Sequence, residues 1–313
     1  MNITISSLTE RDLPEADRVF RLAFGTFLGL PDPTSFMGDA DLVKSRWRAA
    51  PDAALGAFAG ETLIGSNAVT EWGSFGFFGP LSIRPDYWGR GIAQQLMVAT
   101  MEMFRARATR TVGLFTFPNS PQHIHLYRKF GFWPRFLTEV MSKSVTVPTG
   151  SVRYTPYSTL SEAERSAVLH ASRGLTGSIE DGLDVTREIQ SVVQQRLGDT
   201  VLIYDDGELV GLAVCHLGPG SEAGSDTAYV KFGAVRQDAE APRRFNRLLL
   251  SCEALAAERG LGQLVAGVNT ERQDACRGMA RAGFRVMMNG VAMLRANEPG
   301  HNRADCFVID DWR

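Results

Sequence analysis

The sequence lacks the features that mark secreted, membrane or metal-binding proteins. Its 4 cysteines lie far apart in the second half of the chain, and no C-x-x-C pair predicts a zinc site or a redox dithiol. No apolar run is long enough to cross a bilayer, and the alternating N-terminus has no basic-then-apolar leader. We therefore expect a cytoplasmic protein with scattered buried thiols and no bound metal ion.

An excess of charge of either sign is also missing. The chain has 33 lysines and arginines against 35 aspartates and glutamates, for a net charge of -2. Such a balance creates no electrostatic field that would hold nucleic acid or an anionic membrane. Neither G-x-x-x-x-G-K-[ST] nor G-x-G-x-x-G occurs at a strand-to-helix junction. A Rossmann dehydrogenase is excluded by this glycine spacing and by the antiparallel start of the predicted sheet.

What is present is a glycine-bearing loop, from Arg84 to Ala93, between a predicted strand and a predicted helix. The apolar run Phe77–Ile83 predicts the strand, and the apolar periodicity after the loop predicts the helix. Free backbone N–H groups and the helix dipole make such a junction a site for phosphate or pyrophosphate. Gly89 and Gly91 would allow close approach of the ligand, and Arg90 adds charge. On this stretch alone, an ordinary strand-to-helix turn is an equal alternative.

Together with a second segment, the loop resembles the GNAT superfamily of acyl-CoA-dependent N-acyltransferases, over roughly residues 2 to 140. The first family signature, [Gln/Arg]-x-x-Gly-x-[Gly/Ala], is matched by Gly91 and Ala93, while Trp88 replaces the usual first residue. The second signature is an Asn followed by a helix that ends Leu-Tyr-x-x-x-Gly-Phe. Its matching residues are Asn119, Leu126, Tyr127, Gly131 and Phe132.

The resemblance implies an α/β fold with a mixed sheet and a binding site for acetyl-CoA as co-substrate. Backbone amides of the loop would hold the pyrophosphate; these residues are Trp88, Gly89, Arg90, Gly91, Ile92 and Ala93. The backbone of Leu81 and Ile83 would pair with the pantetheine arm as an added strand does. An N–H group near Leu81 or Ser82 would stabilise the oxyanion. Asn119 would contact the arm or cap the next helix, and a gap between residues 78–83 and 112–117 would admit the thioester.

Acyl transfer to an amine also needs an acid and a base. The resemblance makes Tyr127 the general acid that protonates the departing thiolate, because a phenol is protonated at neutral pH. An alkylammonium has a pKa near 10, so a base must take its proton. The candidates are Glu71, His123 and His125, and the sequence leaves the choice open. In the loop of residues 28–38, Phe36 and Met37 are possible acceptor-site residues, although core packing is the favoured role for both.

The second half of the chain repeats parts of this pattern at a shift of 152 residues. We predict a catalytic domain at residues 1–145, a linker at 141–151 and a GNAT-like domain at 151–313. Gly89 and Gly91 correspond to Ala241 and Arg243, and Tyr127 corresponds to Met279, which cannot donate a proton. We therefore expect a degenerate second half that binds no CoA.

These observations predict an acetyl-CoA-dependent N-acetyltransferase that acts by direct attack of a primary amine of a small molecule or peptide. One alternative is a catalytically silent CoA-binding sensor or interaction protein. Another is a tandem mycothiol-synthase-like enzyme, although in that family the C-terminal half carries the activity. Monomer and homodimer both stay open, and the polar residues 309–313 are a candidate to reach a cleft between the halves.

Overall fold

The computed structural model describes residues 2–146 and 152–313. Its strands are β1 (Ile3–Ser7), β2 (Ala54–Ala59), β3 (Thr62–Trp72), β4 (Phe75–Phe78), β5 (Ser82–Ile83), β6 (Thr111–Thr116), β7 (Phe132–Ser144), β8 (Thr155–Pro156), β9 (Gly198–Asp205), β10 (Glu208–Leu217), β11 (Thr227–Val235), β12 (Gln263–Asn269), β13 (Arg285–Arg295) and β14 (Val308–Ile309). Its α-helices are α1 (Leu13–Phe27), α2 (Val43–Ala49), α3 (Ile92–Ala106), α4 (Pro121–Arg128), α5 (Glu162–Gly177), α6 (Thr186–Gln194), α7 (Ala241–Glu258) and α8 (Gln273–Arg281).

One mixed sheet runs through the molecule in the order β1-β2-β3-β4-β6-β13-β7-β12-β11-β10-β9-β8. Two short strands lie off this path, since β5 pairs with β3 and β14 pairs with β11. The pairs β4–β6 and β11–β12 are parallel, and each is connected by a long helix, α3 or α7. This is the helical crossover that parallel neighbours require. The predicted α/β class with a mixed sheet is confirmed.

The two halves of the chain exchange strands in the middle of this sheet. Strand β13 lies between β6 and β7, so that Val291 faces Thr116 on one side and Leu137 on the other. On its far side β7 pairs with β12 of the second half. Residues 141–144, predicted as the start of a linker, are instead the end of β7, and residues 147–151 lie outside the described chain. Neither half therefore completes its own sheet, and the predicted boundary does not separate two independent folds.

The second half of the chain repeats the order of helices and strands found in the first half. The series β2-β3-β4-α3-β6-α4-β7 has the same order as β9-β10-β11-α7-β12-α8-β13. Strand β12 begins at Gln263, 152 residues after Thr111 at the start of β6, and α8 begins 152 residues after α4. The correspondence places α3 and α7 in equivalent crossovers.

Both halves also share a core around Trp72, which is fully buried. Its ring lies 4.9 Å from Phe77 and 5.2 Å from Phe232 of the second half, measured between centroids. The indole N–H donates to the Glu188 carboxylate at 3.2 Å. Because the contacts with Phe232 and Glu188 join the two halves, we expect the chain to unfold as one cooperative unit.

The strand predicted over Phe77–Ile83 is not continuous, because β4 ends at Phe78 and β5 begins at Ser82; this break creates the site described below. Among the described helices, none combines the length and apolar character that crossing a bilayer would require.

Candidate active site

The site begins where the parallel strands β4 and β6 separate. Their pairing runs from Phe75–Thr111 to Phe77–Gly113 and then stops. Beyond this point the chain turns away and pairs with β3, where the hydroxyl groups of Ser82 and Ser66 lie 3.1 Å apart. Strand β6 continues without a partner on that side. The predicted gap is therefore present, at the carboxyl ends of two parallel strands, where open α/β sheets bind ligands.

The glycine loop lies at the opening of this gap. Gly89 and Gly91 both have a φ of 75°, in the left-handed region that favours glycine. Gly91 is the N-cap of α3, and no side chain in the part of the chain that the structure describes caps this helix end. The first turn of α3 also has no acidic residue. Its leading N–H groups and the positive end of its dipole are thus available to an anion.

Two side chains of the loop fold back onto the protein. The Trp88 indole N–H donates to the Ile83 carbonyl oxygen at 2.6 Å, so this carbonyl, which was predicted to pair with pantetheine, already has a partner. The Arg90 guanidinium lies 4.9 Å from the centre of the Tyr87 ring, and that of Arg84 lies 4.7 Å from the same ring. Arg90 stays exposed and brings positive charge to the opening.

The loop, the gap and parts of α1 and α4 line a single cavity of about 530 Å³. It brings together most of the predicted site residues: Leu81, Ser82, Ile83, Trp88, Gly89, Arg90, Gly91, Ile92, Ala93, His123, His125 and Tyr127. Glu71 and Asn119 are not among its lining residues.

Tyr127 enters the cavity from α4, with 8% of its surface exposed. Its ring packs edge-on against Phe78, with 5.8 Å between centroids. Burial raises the pKa of the Tyr127 phenol well above its ordinary value. Within the described residues its hydroxyl group has no hydrogen-bond partner, so it is protonated and free to donate to a ligand.

The candidate bases differ in their surroundings. His123 packs against Phe27, with 4.8 Å between ring centroids, and burial lowers its pKa. It is therefore neutral near pH 7 and can accept a proton. The Glu71 carboxylate instead pairs with Arg107 at 2.5 Å and accepts from the Thr109 hydroxyl at 3.2 Å. Because Glu71 lies outside the cavity, the geometry does not support it as the base.

The turn before α4 differs from the prediction. Asn119 is exposed, and the N-cap of α4 is Ser120, whose hydroxyl oxygen accepts the His123 backbone N–H at 3.4 Å. The predicted capping role of Asn119 is therefore wrong. Pro121 in the first turn fits this assignment, because proline suits the first helical positions.

Residues of the second half also line the cavity. Trp312 and Arg313 belong to the segment 309–313 that was expected to reach a cleft between the halves, whereas the sequence did not single out Met288. Arg46 donates to the Gly79 carbonyl oxygen at 2.7 Å and also to the Arg313 carbonyl oxygen. No local pattern marks these contacts, because Arg46 lies 33 positions from Gly79 and 267 positions from Arg313.

On the first-half side, Phe36 and Met37 line the cavity although core packing was favoured for both. Phe24 and Phe27 were missed as site residues. With Phe20 they follow the i, i+4, i+7 spacing of one helix face, which was the signal available.

The corresponding region of the second half is occupied by the protein itself. Strand β11 pairs with β12 from Thr227 to Val230, and beyond that it pairs with β14 at Gly233 and Ala234. At the start of α7, three arginines form ion pairs with carboxylates: Arg243 with Glu240, Arg244 with Asp205 and Asp238, and Arg247 with Asp205. The gap that is open in the first half is thus filled here.

Comparison with known proteins identifies the family of the region in the first half of the chain. Residues 18–132 match the sequence model of the acetyltransferase (GNAT) family. They form a GNAT acetyltransferase domain. No curated protein matches the chain.

The GNAT fold also appears in solved structures that cover nearly the whole chain. A putative acetyltransferase from Pyrococcus horikoshii has a TM-score of 0.71 at 15% identity, over 99% of this chain and 95% of that one. A GCN5-related N-acetyltransferase from Sphaerobacter thermophilus has a TM-score of 0.61 at 16% identity, over 95% of this chain and 96% of that one. At such low sequence identities, the structural similarity shows the fold alone. The fold of both halves, and not only of the GNAT domain, therefore occurs in these proteins.

Proposed function

We propose that this protein transfers the acetyl group of acetyl-CoA to a primary amine, with its single active site in the first half. One observation carries the proposal: the uncapped helix end at Gly91, the gap between β4 and β6, and the free hydroxyl of Tyr127 all line one cavity. These are the three parts that acyl transfer needs, namely an anion site, a slot for the thioester arm and a proton donor for the leaving group.

Residues of the loop and of the gap would hold the co-substrate. Backbone N–H groups from Trp88 to Ala93 face the pyrophosphate, and exposed Arg90 adds a cation. The arm lies along Leu81 and Ser82 in the gap, and an N–H group there stabilises the oxyanion. The start of α3 fits this role, because no side chain of the described residues caps it.

The chemistry follows from the two ionisable side chains. The neutral amine attacks the thioester carbon, the C–N bond forms, and the C–S bond breaks. Tyr127 gives its proton to the departing thiolate. His123, kept neutral by burial, accepts the proton that the amine nitrogen loses, directly or through water. The positive side chains of Arg90 and Lys129 line the same cavity and favour the neutral form of the bound amine.

The second half is proposed to be a GNAT-like domain that binds no CoA. Strand β14 occupies the position of the thioester slot, and Pro242 removes an N–H group from the start of α7. Its contribution to the site is structural, through strand β13 and through Trp312 and Arg313 in the cavity wall.

The test is calorimetric titration of the full chain with acetyl-CoA, with the stoichiometry read first. We expect one site per chain, lost in Gly91→Glu because a carboxylate at the start of α3 repels the pyrophosphate. Gly260→Glu is the matched control, since Gly260 is also at positive φ with open space around it but lies outside the cavity. Two sites per chain would overturn the assignment of the second half, and absence of binding would overturn the proposed function.

Turnover distinguishes the proposed enzyme from the alternative of a catalytically silent CoA sensor. A protein that binds acetyl-CoA and releases no CoA with any amine would favour the sensor. The free Tyr127 hydroxyl in the cavity supports the enzyme instead.

A further inference from the structure

One side of the cavity is formed by a continuous group of rings, here called the aromatic wall: Phe20, Phe24, Phe27, Phe36, Phe117 and His123. Phe24 and Phe36 are stacked, with 5.5 Å between centroids and 16° between planes. Phe27 lies 5.0 Å from Phe117. Each ring therefore contacts another, and the wall connects α1 to the end of β6 and to α4.

The wall includes the proposed base. The His123 ring lies 4.8 Å from Phe27 and 6.3 Å from Phe117, and Tyr127 stands one helical turn further along α4. A group bound on the wall would thus have the proton acceptor at its edge. In such a bound group, a short alkyl chain would connect the aryl ring on the wall to the reacting amine.

The charges of the cavity favour an acceptor with a single amine. Of the charged residues that line it, Arg90 and Lys129 are cationic, and Arg313 is paired with the Asp311 carboxylate at 3.2 Å. No aspartate or glutamate is among the described lining residues. The carboxylates of the neighbouring loop are used elsewhere: Asp32 accepts from Thr34, and Asp39 from Ser225. A polyamine or an aminoglycoside would keep uncompensated positive charges here, whereas a monoamine loses its charge in order to react.

We propose that the acceptor is an arylalkyl monoamine whose ring packs on the aromatic wall; this rests on the proposed acetyltransferase function. Phe20 is buried and supports the wall from behind, whereas the other rings are at least partly exposed. These flat, stiff side chains favour a flat aromatic partner, because stacked and edge-to-face contacts add to the burial of apolar surface. An alkyl amine of equal charge fills the same space without those contacts.

The experiment measures CoA release from acetyl-CoA with three amines: 2-phenylethylamine, hexylamine and spermidine. We expect kcat/KM to be highest for 2-phenylethylamine and lowest for spermidine. In Phe36→Leu, the KM for 2-phenylethylamine should rise about 3- to 10-fold, the usual range for losing one aromatic contact, while the Kd for acetyl-CoA stays unchanged. Phe27→Leu is a second variant, less prone to disturb folding because 39% of Phe27 is exposed.

The matched control is Phe58→Leu. Phe58 packs in the same apolar cluster as Phe24 and Phe36 but does not line the cavity. Its replacement should leave the KM for 2-phenylethylamine unchanged. Binding of 2-phenylethylamine to the CoA-saturated protein, measured by calorimetry, gives a readout that does not depend on turnover.

The outcomes distinguish the proposal of an arylalkylamine acceptor from the proposed acetyltransferase function. Preference for spermidine or for a peptide amine, with acetyl-CoA bound, would overturn the arylalkylamine and keep the acetyltransferase. Faster transfer from octanoyl-CoA than from acetyl-CoA, lost in Phe36→Leu, would assign the wall to the acyl chain and also overturn it. Failure of acetyl-CoA to bind would overturn the proposed function itself.

Discussion

Replacing Tyr127 by phenylalanine gives the sharpest test of the mechanism, because the structure predicts almost no change in stability and a large loss of rate. The change removes one hydroxyl group that has no hydrogen-bond partner among the described residues. The ring contact with Phe78 is kept. The free energy of unfolding should therefore stay within about 0.5 kcal/mol of the parent, as for a substitution that breaks no interaction.

The effect on catalysis should be large. Loss of a positioned general acid lowers the rate by about 10²- to 10⁴-fold. At about 1.4 kcal/mol for each factor of ten, this corresponds to roughly 3 to 5 kcal/mol of transition-state stabilisation. The Kd for acetyl-CoA should change little, because the phenol is proposed to act on the leaving thiolate and not on the bound ground state.

The assay is steady-state release of CoA thiol, with urea unfolding and calorimetry on the same samples. Tyr204→Phe is the control, since it makes the same chemical change at a half-buried tyrosine outside the cavity. A Tyr127→Phe variant with the kcat of the parent would remove Tyr127 from the mechanism. A variant that loses both stability and rate would show that the tyrosine acts through packing.

Three further predictions follow from the geometry. Gly91→Val should weaken acetyl-CoA binding more than Gly91→Asn, because a β-branched residue is strained at a φ of 75° whereas asparagine tolerates it; calorimetry on both variants checks this. Glu71→Gln should keep the parent kcat and lose about 1 kcal/mol of stability with its half-buried ion pair; a kcat lowered tenfold or more would restore Glu71 as the base. Burial alone would lower the pKa of His301, but its contacts with Asp310 at 2.7 Å and Glu180 at 2.9 Å raise it overall. Its contribution to stability is then full below pH 6.5 and is lost as pH rises through the raised pKa, so urea unfolding between pH 6 and 9 should show a decline that is absent in His301→Gln.

The sequence predicted much of the site because its signals are local. A glycine that must adopt positive φ, a helix start without a cap and a tyrosine on the next helix each depend on neighbours in sequence. The loop at Gly89 and Gly91 is therefore visible in the local spacing, whereas the role of Tyr127 came from the resemblance to the GNAT superfamily. The same holds for the mixed sheet, whose apolar runs and turns are read within a few residues.

Only the tertiary structure decided the features that depend on long-range contacts. The exchange of β7 and β13, the arrival of Trp312 and Arg313 in the cavity and the ion pair of Arg46 with Glu222 join residues far apart in the chain. Glu71 is an example of a site prediction that failed for the same reason. Its partner Arg107 lies 36 positions away, and this ion pair holds the Glu71 carboxylate away from the site. Charge and hydropathy patterns indicate which residues are buried, but only packing fixes which buried residues meet.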